Sequence, residues 1–145
     1  MTKEHATYFE SPALRVQVPE GWLAFLGIDS ECRTDPKKIH IYKDARIETD
    51  LFQRAGITIC YYGKGEYYYS PKSFYDEVCD IEPIKIGERT FGGFTCKSLG
   101  YPYTMLECFE DECVFLIMIL EKNGEYCISL SDEDVLYIIS SIETK

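Results

Sequence analysis

Apolar residues recur along this chain mostly at every second position, a period that predicts strands. Leu14, Val16 and Val18 alternate with Arg15 and Gln17. The turn Val18-Pro19-Glu20-Gly21 follows, and residues 22–26 read as a partner strand, so 14–26 is expected to form a hairpin. Further strands are predicted at 38–43, through Ile39 and Ile41, and at 57–62, where β-branched and aromatic residues concentrate. Residues 29–36 and 63–66 read as loops, and 44–55 is assigned to no element. Ser70-Pro71 is a helix start, with Ser as N-cap and Pro at the first helical position. Phe74, Val78 and Ile81 continue at helical spacing, which predicts a helix over 71–80.

Two more hairpins are expected, 84–91 with 94–99 around Gly92-Gly93, and 104–109 with 114–120 around Glu110-Asp111-Glu112. The run 114–120 is apolar at every position, which predicts a central strand covered on both faces. Asn123-Gly124 marks a tight turn into a short strand at 126–130. Ser131-Asp132-Glu133-Asp134 opens a last helix over 131–142, a Ser N-cap followed by carboxylates at the positive end of its dipole. Its apolar stripe is Val135, Ile138, Ile139 and Ile142. The expected fold class is α+β, a central, mostly antiparallel sheet flanked by helices on both faces.

The Val18-Pro19-Glu20-Gly21-Trp22 turn, the strand meander interrupted by a helix, and the closing segment Ile139-Ser140-Ser141-Ile142 together resemble the PsbP/Mog1-like family. The resemblance is one of element order over nearly the whole chain. It implies an α/β/α sandwich and a module that binds, since family members include a subunit of the photosynthetic oxygen-evolving complex and a binder of the small GTPase Ran. It implies no shared active site, and no site residue is carried over from it.

With 145 residues, the chain has the size of one domain. A domain of this length buries roughly two-thirds of its unfolded surface and needs no metal or disulfide staple. Fifteen Lys and Arg against 25 Asp and Glu give a formal charge of −10. That balance argues against nucleic acid and against an anionic membrane surface as partners. The N-terminus has no signal-peptide pattern and no apolar run reaches the roughly 18 residues of a membrane span. The seven cysteines are scattered beside apolar neighbours and are expected to be reduced, mostly buried thiols in a cytoplasmic protein.

No motif specifies a reaction. His5 and His40 stand apart from each other and from the cysteines, and a zinc site wants about four closely spaced N or S ligands. Cys108 and Cys113 lack a joining His, and the carboxylates of 107–112 lack the spacing of a calcium loop. Gly63-x-Gly65 is too short to cradle phosphate, no Gly-x-Ser-x-Gly elbow occurs, and Cys32 with His40 is a weak nucleophile–base pair. No catalytic residue, cofactor or metal ligand is therefore named.

What is unusual is tyrosine, 12 copies that include Tyr61, Tyr62, Tyr67, Tyr68, Tyr69, Tyr101 and Tyr103. Three consecutive tyrosines cannot share one face, so at least one of Tyr67–Tyr69 should meet water or a partner. Charge is also uneven, since residues 107–145 carry ten carboxylates against two lysines. The expected function is a small non-enzymatic module that binds another protein, a basic one by charge. Its contact residues are Tyr67, Tyr68, Tyr69, Glu110, Asp111 and Glu112. The alternatives are an immunity protein that neutralises a basic toxin, and a small-ligand or enzymatic domain with a cleft between sheet and helix.

Overall fold

The computed structural model describes residues 6–145. Its elements in chain order are β1 (Thr7–Glu10), β2 (Leu14–Val18), β3 (Trp22–Ile28), β4 (Thr34–Lys43), β5 (Gly56–Tyr62), β6 (Asp76–Asp80), β7 (Ile84–Ile86) and β8 (Arg89–Ser98). There follow β9 (Tyr101–Glu110), β10 (Cys113–Leu120), β11 (Lys122–Asn123), β12 (Tyr126–Cys127), α1 (Glu133–Ser140) and β13 (Glu143–Thr144). Single 3-10 turns span Glu48–Gln53 and Pro71–Phe74.

Eight strands make one antiparallel sheet in the order β3-β4-β5-β10-β9-β8-β6, with β7 paired to β8. The run 114–120 lies in β10, the middle strand of that order, as its two-sided apolar pattern predicts. Phe115, Ile117 and Ile119 are buried on one face, while Leu116 and Leu120 are buried on the other. A second sheet, β1-β2-β13, lies with α1 over the first face. Leu14, Val16 and Val18 from β2 and Val135, Ile138, Ile139 and Ile142 close the main core there, against Ile39, Ile57, Leu106 and Ile117.

The other face overturns the expected α+β class. Strand makes up 54% of the structure and helix of every kind 13%, with one short α-helix among the described residues, so this is a mostly antiparallel β protein without helices on both faces. The helix expected over 71–80 is a 3-10 turn followed by the edge strand β6. The Ser70 side chain does accept from the Lys72 backbone N–H, so the start signal is real. Ten residues are too few to hold a helix without a buried stripe, and here Phe74 is exposed. Pairing of Asp76, Cys79 and Asp80 with Lys97, Thr95 and Phe94 of β8 wins instead.

Two pairings also differ. Residues 14–26 form two strands that do not pair with each other, because the alternating face of β2 packs onto the main sheet while β3 joins its edge. Gly92-Gly93 is no turn but part of the continuous strand β8, and the reversal occurs between β7 and β8. A Cβ on Gly93 would lie 1.9 Å from the Met105 carbonyl oxygen, so this glycine lets β8 approach β9. By contrast, β9 and β10 form the expected hairpin, and Asp111 and Glu112 turn it with φ of 45° and 66°. The last helix is shorter than 131–142, and its N-cap is Asp132 rather than Ser131.

Candidate functional site

Alternation along each strand sends one set of side chains to the second face of the main sheet, and register aligns them in rows. His40, Thr58, Met118 and Met105 form one row across β4, β5, β10 and β9. Tyr42, Gly56, Leu120 and Tyr103 form the next. A Cβ on Gly56 would meet the Tyr42 ring at 2.3 Å, so the glycine lets that ring lie down across β5. The segment between β5 and β6 lies over part of this face and adds Pro71 and Tyr75, and the Glu48–Gln53 turn adds Leu51. What remains open is a groove of about 440 Å³.

The groove is chemically quiet. His40 Nδ1 sits 2.8 Å from Thr58 Oγ1, and its ring lies against Phe25, with centroids 5.3 Å apart. Burial, helped by the Lys38 charge, brings the His40 pKa down to about 4, so the imidazole is neutral at neutral pH. Burial likewise pushes Tyr103 up to about 12 and the Cys60 thiol up to about 11, and raises Tyr42, Tyr62 and Tyr75. A thiol held protonated is a poor nucleophile. Nothing here resembles an activated catalytic pair.

The segment after β5 is tied down at several points. Glu66 accepts from the Gly63 N–H at 2.9 Å and pairs with Lys37 at 2.5 Å. Tyr68 turns inward, edge-on to Tyr62 and Phe109, and its hydroxyl donates to Glu107. Burial, then the Glu107 carboxylate, holds its pKa far above the ordinary phenol value. Tyr67 and Tyr69 turn outward, 80% and 65% exposed, with Phe74 at 76% and Phe109 at 67%.

Of the residues expected to contact a partner, then, Tyr67 and Tyr69 are on the surface and Tyr68 is an internal latch. Glu110 is held by Arg89, whose Nε is 3.1 Å away and whose Nη1 donates to the Ile142 carbonyl at 2.6 Å. Asp111 and Glu112 are exposed at the turn, and Glu112 lies 3.5 Å from Lys64. The contacts Tyr68–Glu107, Tyr68–Phe109 and Lys64–Glu112 join the tyrosine segment to the β9–β10 hairpin. Two stretches some forty residues apart in sequence thus share one end of the molecule.

The other chemistry weighed from sequence is dispersed. Cys32 is exposed in the turn before β4, whereas His40 lies well along that strand beside Thr58. All seven cysteines are free, and Cys32, Cys79 and Cys127 are exposed rather than buried. His5 lies outside the described residues. Among those described, no group of three or more His, Cys, Asp or Glu is placed to hold a metal, and no helix is long and apolar enough to cross a membrane. The groove itself was not read from the sequence. Its signals were His40 and Tyr42 on the same side of one strand and Gly56 opposite them, a glycine inside a strand being a mark of close approach. No family model matches the chain, and no curated protein matches it.

Proposed function

We propose that this is a non-enzymatic module that binds another protein through the half-covered face of its main sheet. One observation carries the reading: Tyr67, Tyr69, Phe74 and Phe109, four large aromatic side chains, are exposed at or beside the segment that crosses that face. Exposed aromatic area of this kind marks interaction sites, because such residues carry large apolar surface that water solvates poorly. The neutral, unactivated groups of the groove favour binding over catalysis.

Asp111 and Glu112 next to that surface, and the net charge of −10, favour a basic partner. A basic toxin held by an immunity protein is one such pair. Free thiols, three of them exposed, suit a reducing cytoplasm. The test is comparative capture from the source cell with the parent protein and a Tyr67→Ala/Tyr69→Ala/Phe74→Ala variant. A partner retained by the parent, and by an exposed-residue control such as Leu99→Ala, should be lost by the triple variant. Identical captured sets would remove this surface from consideration.

A further inference from the structure

The groove differs from the rim in ways that a protein contact does not require. Its lining includes no Asp or Glu, and its one cation, Lys38, already donates Nζ to the Ile28 carbonyl at 3.2 Å. A cationic ligand would leave water there without a counter-charge, which is costly. The walls are Tyr42, Tyr62, Tyr75 and Tyr103, supplied by β4, β5, the crossing segment and β9, over a floor of Leu116 and Met118. Among the described residues these four rings form no stacked or edge-on pair with one another, although Tyr103 packs against the cluster that contains Tyr42; Tyr62 pairs with Tyr68 and Tyr42 with His40. Tyr62, Tyr75 and Tyr103 are half-buried residues, and their hydroxyls are not among the described protein's buried polar atoms that lack a partner, so they stay open to the groove. Rings that do not pair, with a slot of about 440 Å³ between them, lack the contacts that aromatic groups make when packed. That volume lies in the range of small-molecule sites, which are apolar with a few placed polar groups.

We propose that the groove bounded by His40, Thr58, Tyr62, Tyr75, Tyr103 and Met118 binds a small, neutral, planar aromatic molecule bearing a hydrogen-bond acceptor. The ring system lies between the tyrosines on the Leu116–Met118 floor, and a phenolic hydroxyl donates to the acceptor. Selectivity against anions comes from the protein's own negative charge, and against cations from Lys38 and the lack of a carboxylate. The proposal rests on this face being a binding face, though not on the identity or existence of the protein partner.

Nile red, a neutral planar dye with acceptor oxygen and nitrogen atoms, is the probe. Its fluorescence should rise saturably with one site per chain. Met118→Trp, which fills the floor, should weaken it at least tenfold. Leu51→Trp narrows the mouth from a 3-10 turn outside the sheet and should do the same even if Met118→Trp fails to fold. Anilinonaphthalene sulfonate, aromatic but anionic, should bind at least tenfold more weakly than Nile red. The Tyr67→Ala/Tyr69→Ala/Phe74→Ala variant should bind the dye like the parent, which separates this result from loss of a protein partner. Non-saturable emission, unchanged affinity in a folded Leu51→Trp variant, equal binding of the anionic dye, or loss of dye in the rim variant would each overturn the proposal.

Discussion

His40 places a proton-linked weakness in the middle of a groove whose lining already carries the Lys38 charge. Unfolded, its imidazole titrates near the ordinary value of 6.5; folded, burial holds it down to about 4. Between those values the unfolded chain binds a proton that the folded one does not, so stability falls as pH drops from 6.5 toward 4 and this contribution levels off below. The loss amounts to on the order of 2 kcal/mol, allowing for the water that reaches part of the ring. Urea unfolding at pH 7, 5.5 and 4 should show it, and His40→Gln should remove it while keeping a polar partner for Thr58. Asp29, Asp50 and Glu66, held below their ordinary values of 3.8, 3.8 and 4.5 by hydrogen bonds, lose their contribution as pH falls through and below those values, so they add to the loss at pH 4 and the step from pH 7 to 5.5 is the one that isolates His40. Two glycines give a second residue-scale prediction. Gly56→Ala drives a methyl into the Tyr42 ring, which can turn aside, and should cost roughly 1–3 kcal/mol. Gly93→Ala meets backbone at 1.9 Å with φ at +143°, so it should cost more and give little folded protein on expression.

At the scale of elements, strands with a full alternating or two-sided apolar pattern were legible, and β10 is the clearest. Leu116→Ala should cost about 2–5 kcal/mol, because β10 is buried on both faces and Leu116 belongs to the buried cluster of the second face. Ile117→Ala on the opposite face should cost a similar amount, and chemical denaturation of the two variants tests whether both faces carry core. Elements whose fate depends on a distant neighbour were not legible. Local signals for 71–80 favour a helix, and Val78 does pack against the buried cluster that contains Phe94 and Cys96, but it does so from a strand. Gly92-Gly93 has the composition of a turn, yet its role is set by β9 across the ladder. The 14–26 segment shows the same limit, since alternation gives a strand's inward face but not which sheet receives it.

For the whole molecule, the sequence required that at least one of Tyr67–Tyr69 face outward and marked the acidic turn, but it showed neither which tyrosines do so nor their adjacency to the turn, which depends on the pairing of β5, β10 and β9. Nor did it show that Tyr68 and Glu110 are engaged within the fold, Tyr68 with Glu107 and Glu110 with Arg89. This division sets different roles for neighbouring residues in binding. Tyr67 and Tyr69 have area to lose to a partner, and removing a buried aromatic anchor commonly costs about 2 kcal/mol or more. Tyr67→Ala/Tyr69→Ala should therefore raise the dissociation rate of the captured partner roughly thirtyfold, with little change in association. Asp111 and Glu112 are solvated at the turn and act at longer range. Asp111→Asn/Glu112→Gln should slow association several-fold at low salt and hardly at all near 1 M, where the screening length is about 3 Å. Tyr68→Phe, which removes the hydroxyl bonded to Glu107, should lower stability before it alters affinity. Surface-bound kinetics at two salt concentrations distinguishes these outcomes. A salt-independent effect of the turn variant would mean that Asp111 and Glu112 are desolvated contacts, and the acidic hairpin would then belong to the interface itself.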